Sequence, residues 1–378
     1  NGNPVARAMK SWNKERQYNL TPQFSIEYKL LGTEDDQHRL NYVGDVQLNI
    51  YNTSSDEYCP AELKTMDWYW GAENSTNLGS NQRNYVSNSE YKSLEFTTRH
   101  DLRYYSGFAN KDHSLSGLLR FEMATGSSSK QNTGLWNVPD GITDPTVVAL
   151  LRAAGASNSE WRSQSFFGQL HYSYKSKYSL DATVRTDGST NFGKGSKYGT
   201  FPSVGGRWNI SDENWMQWSK KVISMLAFRP TWGLTGNTGN RAFMQYNKYA
   251  SDGYYNGHTV VRPENLSLTQ IRWEKTKQWN LGFNLGLFDD IVTAEFEVYD
   301  KKTTDLLMDN LRIPSANGFS NLDRVNGGTM RNKGWEMNVS TARIAKVGKF
   351  AMKLRGNIAQ NFNEVEEMDP LILEALNG

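Results

Sequence analysis

The chain has 378 residues, 37% of them hydrophobic and 12% aromatic, and its 42 basic and 40 acidic side chains leave a formal net charge of +2. Charges so balanced and interspersed give no electrostatic footprint for nucleic acid, and a mean hydropathy of −0.69 with no run near the ~18 apolar residues of a spanning helix excludes a helical membrane protein. One cysteine, Cys59, excludes an internal disulfide, and five scattered histidines (His38, His100, His113, His171, His258) lack ligand spacing, so neither a metal nor another cofactor is expected.

In chain order, period-two alternation predicts twelve strands. The first six run near Phe24–Leu31, Leu40–Ile50, Leu94–Tyr104, Leu115–Met123, Phe166–Tyr174 and Tyr178–Thr186. The other six run near Phe201–Ile210, Met225–Leu234, Trp279–Leu287, Ile291–Tyr299, Trp335–Thr341 and Phe350–Ile358. In the second, Leu40, Tyr42, Val46, Leu48 and Ile50 alternate with Asn41, Asp45, Gln47 and Asn49, and Val43 alone breaks the rule. Side chains of a strand point alternately to opposite faces, so each segment needs one oily and one wet environment. Many of these segments approach the ~9 to 11 residues of a tilted membrane-crossing strand.

The connections alternate between tight and long. Ser176-Lys177 and Asp289-Asp290 mark short turns, whereas Tyr51–Ser93, Ala124–Ser165, Thr235–Gln278 and Asp300–Gly334 are long and fall on one side. The medium-length sixth connection, Asp187–Thr200, joins them, and the best apolar run, within Pro145–Ala154, reads as a short loop helix. On the turn side, Ser211–Ser224 reads as a connection holding a short helix with Trp215, Met216 and Trp218. This asymmetry predicts an antiparallel transmembrane β-barrel with short turns on one side and large loops on the other, in which 12 Trp and 19 Tyr supply interfacial girdles. Residues 1–23 read as a loop or strand lead-in, 24–360 as barrel strands and loops, and 361–378 as a loop segment. The chain has no signal peptide and reads as an incomplete stretch of a larger barrel, because a free strand edge in hydrocarbon leaves backbone groups unpaired.

Two candidate sites face simpler readings. Gly188 to Lys194 matches most of a phosphate-binding loop, but Gly195 stands where Ser or Thr would hold magnesium, and no helix follows. Glu295 and Glu297 share the polar face of one strand and could act as an acid–base pair. Basic residues on other polar phases, Arg185, Lys353, Arg355, Arg99 and Arg103, favour structural ion pairs lining an interior, and no nucleophile or metal motif is present. Five Asn-x-Ser/Thr triplets, at Asn52, Asn74, Asn209, Asn265 and Asn338, carry no weight.

From Tyr178 onward the residues become specific. The blocks Leu180-Asp-Ala-Thr-Val-Arg185-Thr-Asp187-Gly188-Ser189, Lys197-Tyr198-Gly-Thr-Phe201-Pro202-Ser203-Val204, Arg229-Pro-Thr-Trp-Gly233-Leu-Thr235-Gly236-Asn237, Trp273-Glu274-Lys-Thr276-Lys-Gln278-Trp-Asn280-Leu-Gly282 and Asn326-Gly327-Gly-Thr-Met330-Arg-Asn332-Lys333-Gly334-Trp335-Glu336 resemble SusC/RagA-type TonB-dependent outer-membrane transporters, as does Tyr299-Asp-Lys-Lys-Thr303-Thr304-Asp305-Leu306-Leu307. The resemblance covers roughly residues 160–360. Locally the blocks read as folding punctuation: Asp187-Gly188 as a strand end tolerant of positive φ, Phe201-Pro202 as a strand start, Thr235-Gly236-Asn237 as a turn into a loop.

The resemblance implies about 12 strands of a 22-stranded barrel in the outer membrane of a Gram-negative bacterium, plugged by an N-terminal domain absent here. It implies import of oligosaccharides or peptides, a SusD-like surface lipoprotein as lid, and energy from the TonB complex. The chain would contribute wall and loops and no enzyme activity. Loop aromatics Trp136, Trp161, Tyr254 and Tyr255 are candidate substrate contacts, though such rings also anchor their own loops. A passive porin is the alternative, and a soluble glycan-binding or glycan-hydrolysing β-protein a further one.

Overall fold

The computed structural model describes residues 9–32, 37–60, 85–108, 112–136, 138–139, 142–143, 150–193, 195–239, 244–314, 316, 318–343, 345–347 and 350–377. It divides into two compact units, one of residues 1–25, 45–98 and 124–162, the other of 26–44, 99–123 and 163–378.

In the first unit β1 (Trp12–Leu20) pairs antiparallel with β3 (His38–Cys59), which is followed in hydrogen-bonded order by β4 (Tyr85–Phe108), β5 (His113–Trp136) and β6 (Leu150–Tyr174). These strands are longer than expected. The predicted loop Tyr51–Ser93 gives up residues 51–59 and 85–93 to strand and Ala124–Ser165 gives up 124–136 and 150–165; of the expected loop helix, 145–149 lie outside the described residues and Leu150–Ala154 is extended. Residues 61–84, including Asn74, lie outside the described residues. Val86, Leu135 and Val138 are buried together, with Tyr58 and Ile142 against them, and the Tyr85 and Trp136 rings lie 5.2 Å apart.

In the second unit the order runs β2 (Gln23–Leu31), β3, β4, β5, β6, β7 (Tyr178–Ser189), β8 (Tyr198–Asn209), β9 (Ile223–Asn237), β12 (Glu274–Leu287), β13 (Val292–Thr304), β16 (Thr329–Thr341) and β19 (Arg355–Glu367). Three small hairpins stand apart: β10 (Tyr249–Tyr255) with β11 (His258–Pro263), β14 (Leu307–Arg312) with β15 (Asn321–Asn326), and β17 (Ala345–Val347) with β18 (Phe350–Met352). The last strand therefore begins at Arg355 and not at Phe350, and it continues through residues expected to be loop; a helix α1 (Pro370–Asn377) follows it.

Register confirms the alternation. Phe228, Phe283 and Phe296 are directly opposite across β9, β12 and β13, as are Leu226, Leu285 and Ala294, and all lie on one face with Leu180, Val184 and Val204 of β7 and β8. Large apolar side chains of this face are exposed over many consecutive strands, far more apolar surface than a water-soluble monomer shows. Aromatic rings border it. Near the short turns Tyr174, Tyr178 and Trp208 stack in a row, and toward the loops Trp232 and Trp279 are cross-strand neighbours. Beyond these, charges take over the same phase: Arg331 holds Asp300 and Glu366 at 2.5 and 3.0 Å, and Lys302 reaches Glu366 at 2.8 Å.

The turn Tyr174–Lys177 places Lys175 and Ser176 at φ 51° and 54°, and Lys177 N donates to Tyr174 O at 2.9 Å, a two-residue mirror-image turn suited to strand twist. The motif glycines do something other than expected. Gly188, Gly236 and Gly334 sit inside strands, and none has positive φ. An aromatic ring covers each: a Cβ on Gly188 would meet Tyr198 at 2.5 Å, one on Gly236 would meet Phe201 at 2.0 Å, and one on Gly334 would meet Tyr299 Oη at 2.5 Å. Rings laid over strand glycines pin register and replace the missing side-chain packing. Pro202 lies within β8 instead of opening it, and the β8–β9 ladder starts one residue later, at Ser203, where its absent donor is not needed.

Candidate functional site

The opposite face is polar and largely satisfies itself. Arg229 on β9 and Glu297 on β13 are separated by β12, where Gly282 is in register with both. With no side chain at Gly282 in the way, the guanidinium and carboxylate meet above it at 3.0 Å, and Asn280 Nδ2 donates to the second carboxylate oxygen at 3.1 Å. Glu297 therefore pairs with Arg229, and none of the five basic residues named from the sequence is its partner. Glu295 accepts from Asn284 Nδ2 at 3.0 Å and lines a recess of about 610 Å³ with Met225, Asn338, Val339, Arg355 and Asn357. Lys353 lies between strands.

Arg185 pairs with Asp187, two residues along the same strand, its Nε 2.8 and 2.7 Å from the carboxylate oxygens. Arg99 holds Glu122 at 2.9 Å. The most enclosed charge was not anticipated: Asp101, 0% exposed, accepts Nε and Nη2 of Arg120 at 2.6 and 2.8 Å and Nη2 of Arg103 at 2.7 Å. Its only sequence signal is the alternation Arg99, Asp101, Arg103. Among the described residues, Asn280 Oδ1, Asn284 Oδ1 and Arg229 Nε on this face are enclosed by the neighbouring side chains and have no hydrogen-bond partner.

The four loop aromatics separate into two pairs. Trp136 and Trp161 belong to β5 and β6 and not to loops; the Trp161 indole lies where a Cβ on Gly126 would be 2.4 Å away. Tyr254 and Tyr255 are 82% and 79% exposed on consecutive positions of β10, so both faces of the hairpin tip are open. The tip turns through Asn256 and Gly257 at φ 49° and 78°. A buried cluster joins Phe192 of the β7–β8 connection and Phe201 of β8 to Ile271 and Trp273 of the connection that follows this hairpin, and Trp273 Nε1 donates to Ser196 O at 2.9 Å. Phe192 thus occupies an apolar core where the sequence hinted at a phosphate loop; Lys194 lies outside the described residues.

On the turn side Glu213 is 13% exposed and gathers Tyr178 Oη, Trp208 Nε1 at 3.0 Å and Lys177 Nζ at 3.2 Å. The hydrogen bond from Tyr178 foremost, then that from Trp208 and the nearby Lys177, hold its carboxyl below the ordinary value of 4.5. Among the described residues no group of three or more acidic, His or Cys side chains is placed to hold a metal.

Residues 2–368 match the family described as TonB dependent receptor-like, beta-barrel. TonB-dependent receptor P39 of Formosa agariphila is 29% identical over 373 residues, 97% of this chain and 33% of the receptor. TonB-dependent receptor SusC of Bacteroides thetaiotaomicron is 32% identical over 240 residues, 61% of this chain and 23% of that protein. Among solved structures the RagAB peptide transporter superposes with a TM-score of 0.78 at 19% identity, over 96% of this chain and 38% of that one. The chain thus spans a third or less of these curated relatives.

Proposed function

Because the chain belongs to the TonB-dependent receptor-like β-barrel family, an outer-membrane family of Gram-negative bacteria, we propose that it is wall and loop structure of a SusC/RagA-type importer that takes up oligosaccharides or peptides. The observation that carries this is the pairing of two faces on one sheet. An unbroken apolar phase bordered by aromatic rows suits acyl chains, and a polar phase of ion pairs and amide–carboxylate hydrogen bonds suits a wet interior.

The cargo would be larger than a porin admits, so it needs a driven step, supplied through TonB by parts of the receptor outside this chain. A SusD-like lipoprotein would close over the loops, and the exposed Tyr254 and Tyr255 are where this chain offers rings to sugar, peptide or lid. Trp136 and Trp161 act as anchors within their own strands. Glu295, Glu297 and Arg185 shape the interior and do no chemistry.

Uptake of labelled oligosaccharides and peptides by cells carrying the full-length receptor tests this. Uptake of one class that stops on removal of TonB supports the proposal. Uptake that survives loss of TonB and of proton-motive force means a passive channel, and uptake of neither class overturns the cargo assignment.

A further inference from the structure

The connection between β8 and β9 is a pair of 3-10 turns, Ile210–Asp212 and Asn214–Ser219. With three residues per turn, Trp215 and Trp218 project from one side, 58% and 80% exposed, while Met216 and Ser219 are buried on the other. Exposed tryptophans at such a density are unusual in water, and nothing in the local packing accounts for them.

Three observations say what covers them. Glu213, immediately before the turn, is bonded to Trp208 and Tyr178, so the element is fastened to the aromatic row that borders the apolar face. Val222, Phe288 and Ile291 are also exposed beside it, and Phe288 N donates to Val222 O at 2.8 Å, which extends the apolar border from β9 to β13. Lys220 and Lys221 follow directly and are exposed, with no acidic partner among the described residues. Two indoles, flanking apolar side chains and two free ammonium groups on one edge form the chemistry of an interfacial element: rings at headgroup depth, cations on phosphate.

The geometry points to the Asn214–Ser219 turn with Lys220 and Lys221 as a docking surface for anionic glycerophospholipid headgroups on the short-turn side of the membrane. It continues the lipid-facing band already described and is independent of what the receptor carries.

The test uses the full-length receptor in lipid nanodiscs, with a C59S background and single spin labels at W218C, L119C and Y254C. The label at 218 is expected to show several-fold lower accessibility to a water-soluble nickel chelate than the label at 254, and to lie shallower than the label at 119. Accessibility equal to that at 254 overturns the inference, as does a label shielded from both nickel chelate and oxygen, which means a protein partner. If the label at 119 is also open to nickel, the lipid assignment of the whole apolar face fails with it. In parallel, phosphatidylglycerol should raise the thermal midpoint of wild type over phosphatidylcholine. K220Q/K221Q should abolish that rise and K220R/K221R retain it; an equal rise in all three overturns the role of the lysines.

Discussion

At the scale of single residues, burial decides which charges matter. Asp101 is fully enclosed between two guanidinium groups, whereas Glu297 and Arg229 are each about a third exposed. Breaking a buried pair costs about 3–5 kcal/mol because the surviving charge is stranded. A solvent-screened pair contributes about 1 kcal/mol or less. Asp101→Asn should therefore destabilise the folded receptor by about 3 kcal/mol and Glu297→Gln by no more than about 1 kcal/mol, read as shifts in the unfolding midpoint in detergent. Equal effects would contradict the burial argument.

Glycine gives a second prediction at this scale. Gly236→Ala drives a methyl into the Phe201 ring, and overpacking of this kind costs about 1–3 kcal/mol. Gly356→Ala meets nothing within 4 Å and should be neutral or slightly stabilising by the same midpoint measurement. The sequence motifs showed that these glycines mattered, but not why. A ring laid over a strand glycine links residues 35 apart at Phe201 and Gly236 and across paired strands at Tyr299 and Gly334, and local conformation reports neither. Glu297 was similarly half legible: its polar phase was evident, but its partner Arg229 is 68 residues away and reaches it only because β12 carries a glycine between them.

At the scale of elements, alternation found the strands where one face is oily and lost them where both are wet. Trp12–Leu20 has no period-two pattern, yet it pairs residue for residue with β3 from Leu20 opposite Ile50 to Trp12 opposite Tyr58. β3 to β6 extend past their predicted ends for the same reason: backbone pairing continues after the side-chain signal stops. Phe350–Ile358 was misplaced because Met352, Leu354 and Ile358 keep their phase across the break between β18 and β19, so the pattern does not register the turn. The hairpin β10–β11 was invisible, since its apolar residues face both ways.

The Glu213 junction makes a pH prediction at this scale. A carboxyl whose folded pKa lies below the ordinary 4.5 binds protons more weakly when folded, so its contribution to stability is fully present above that value and is lost as pH falls through the folded pKa. The wild-type advantage in unfolding midpoint over Glu213→Gln should hold at pH 7 and shrink below about pH 4.5. An advantage that grows on acidification would contradict the assignment.

At the scale of the whole molecule, the two faces define what the chain is for. Fold class and membrane setting were readable from sequence because a barrel wall imposes the same constraint on every strand, so twelve weak signals reinforce one another. Cargo was not readable, since the alternating pattern that marks a barrel wall says nothing of exposed side chains such as Tyr254 and Tyr255, whose contact with sugar, peptide or lid is part of the proposal.

In the proposed barrel wall, Val292, Ala294, Phe296 and Val298 face lipid while Thr293, Glu295, Glu297 and Tyr299 face water. Single cysteines at 292 to 299 of the full-length receptor in bilayers, treated with a membrane-impermeant maleimide, test this most directly. Reaction at the odd positions and protection at the even ones is the predicted result. Uniform reaction along the strand, or the opposite phase, would contradict it.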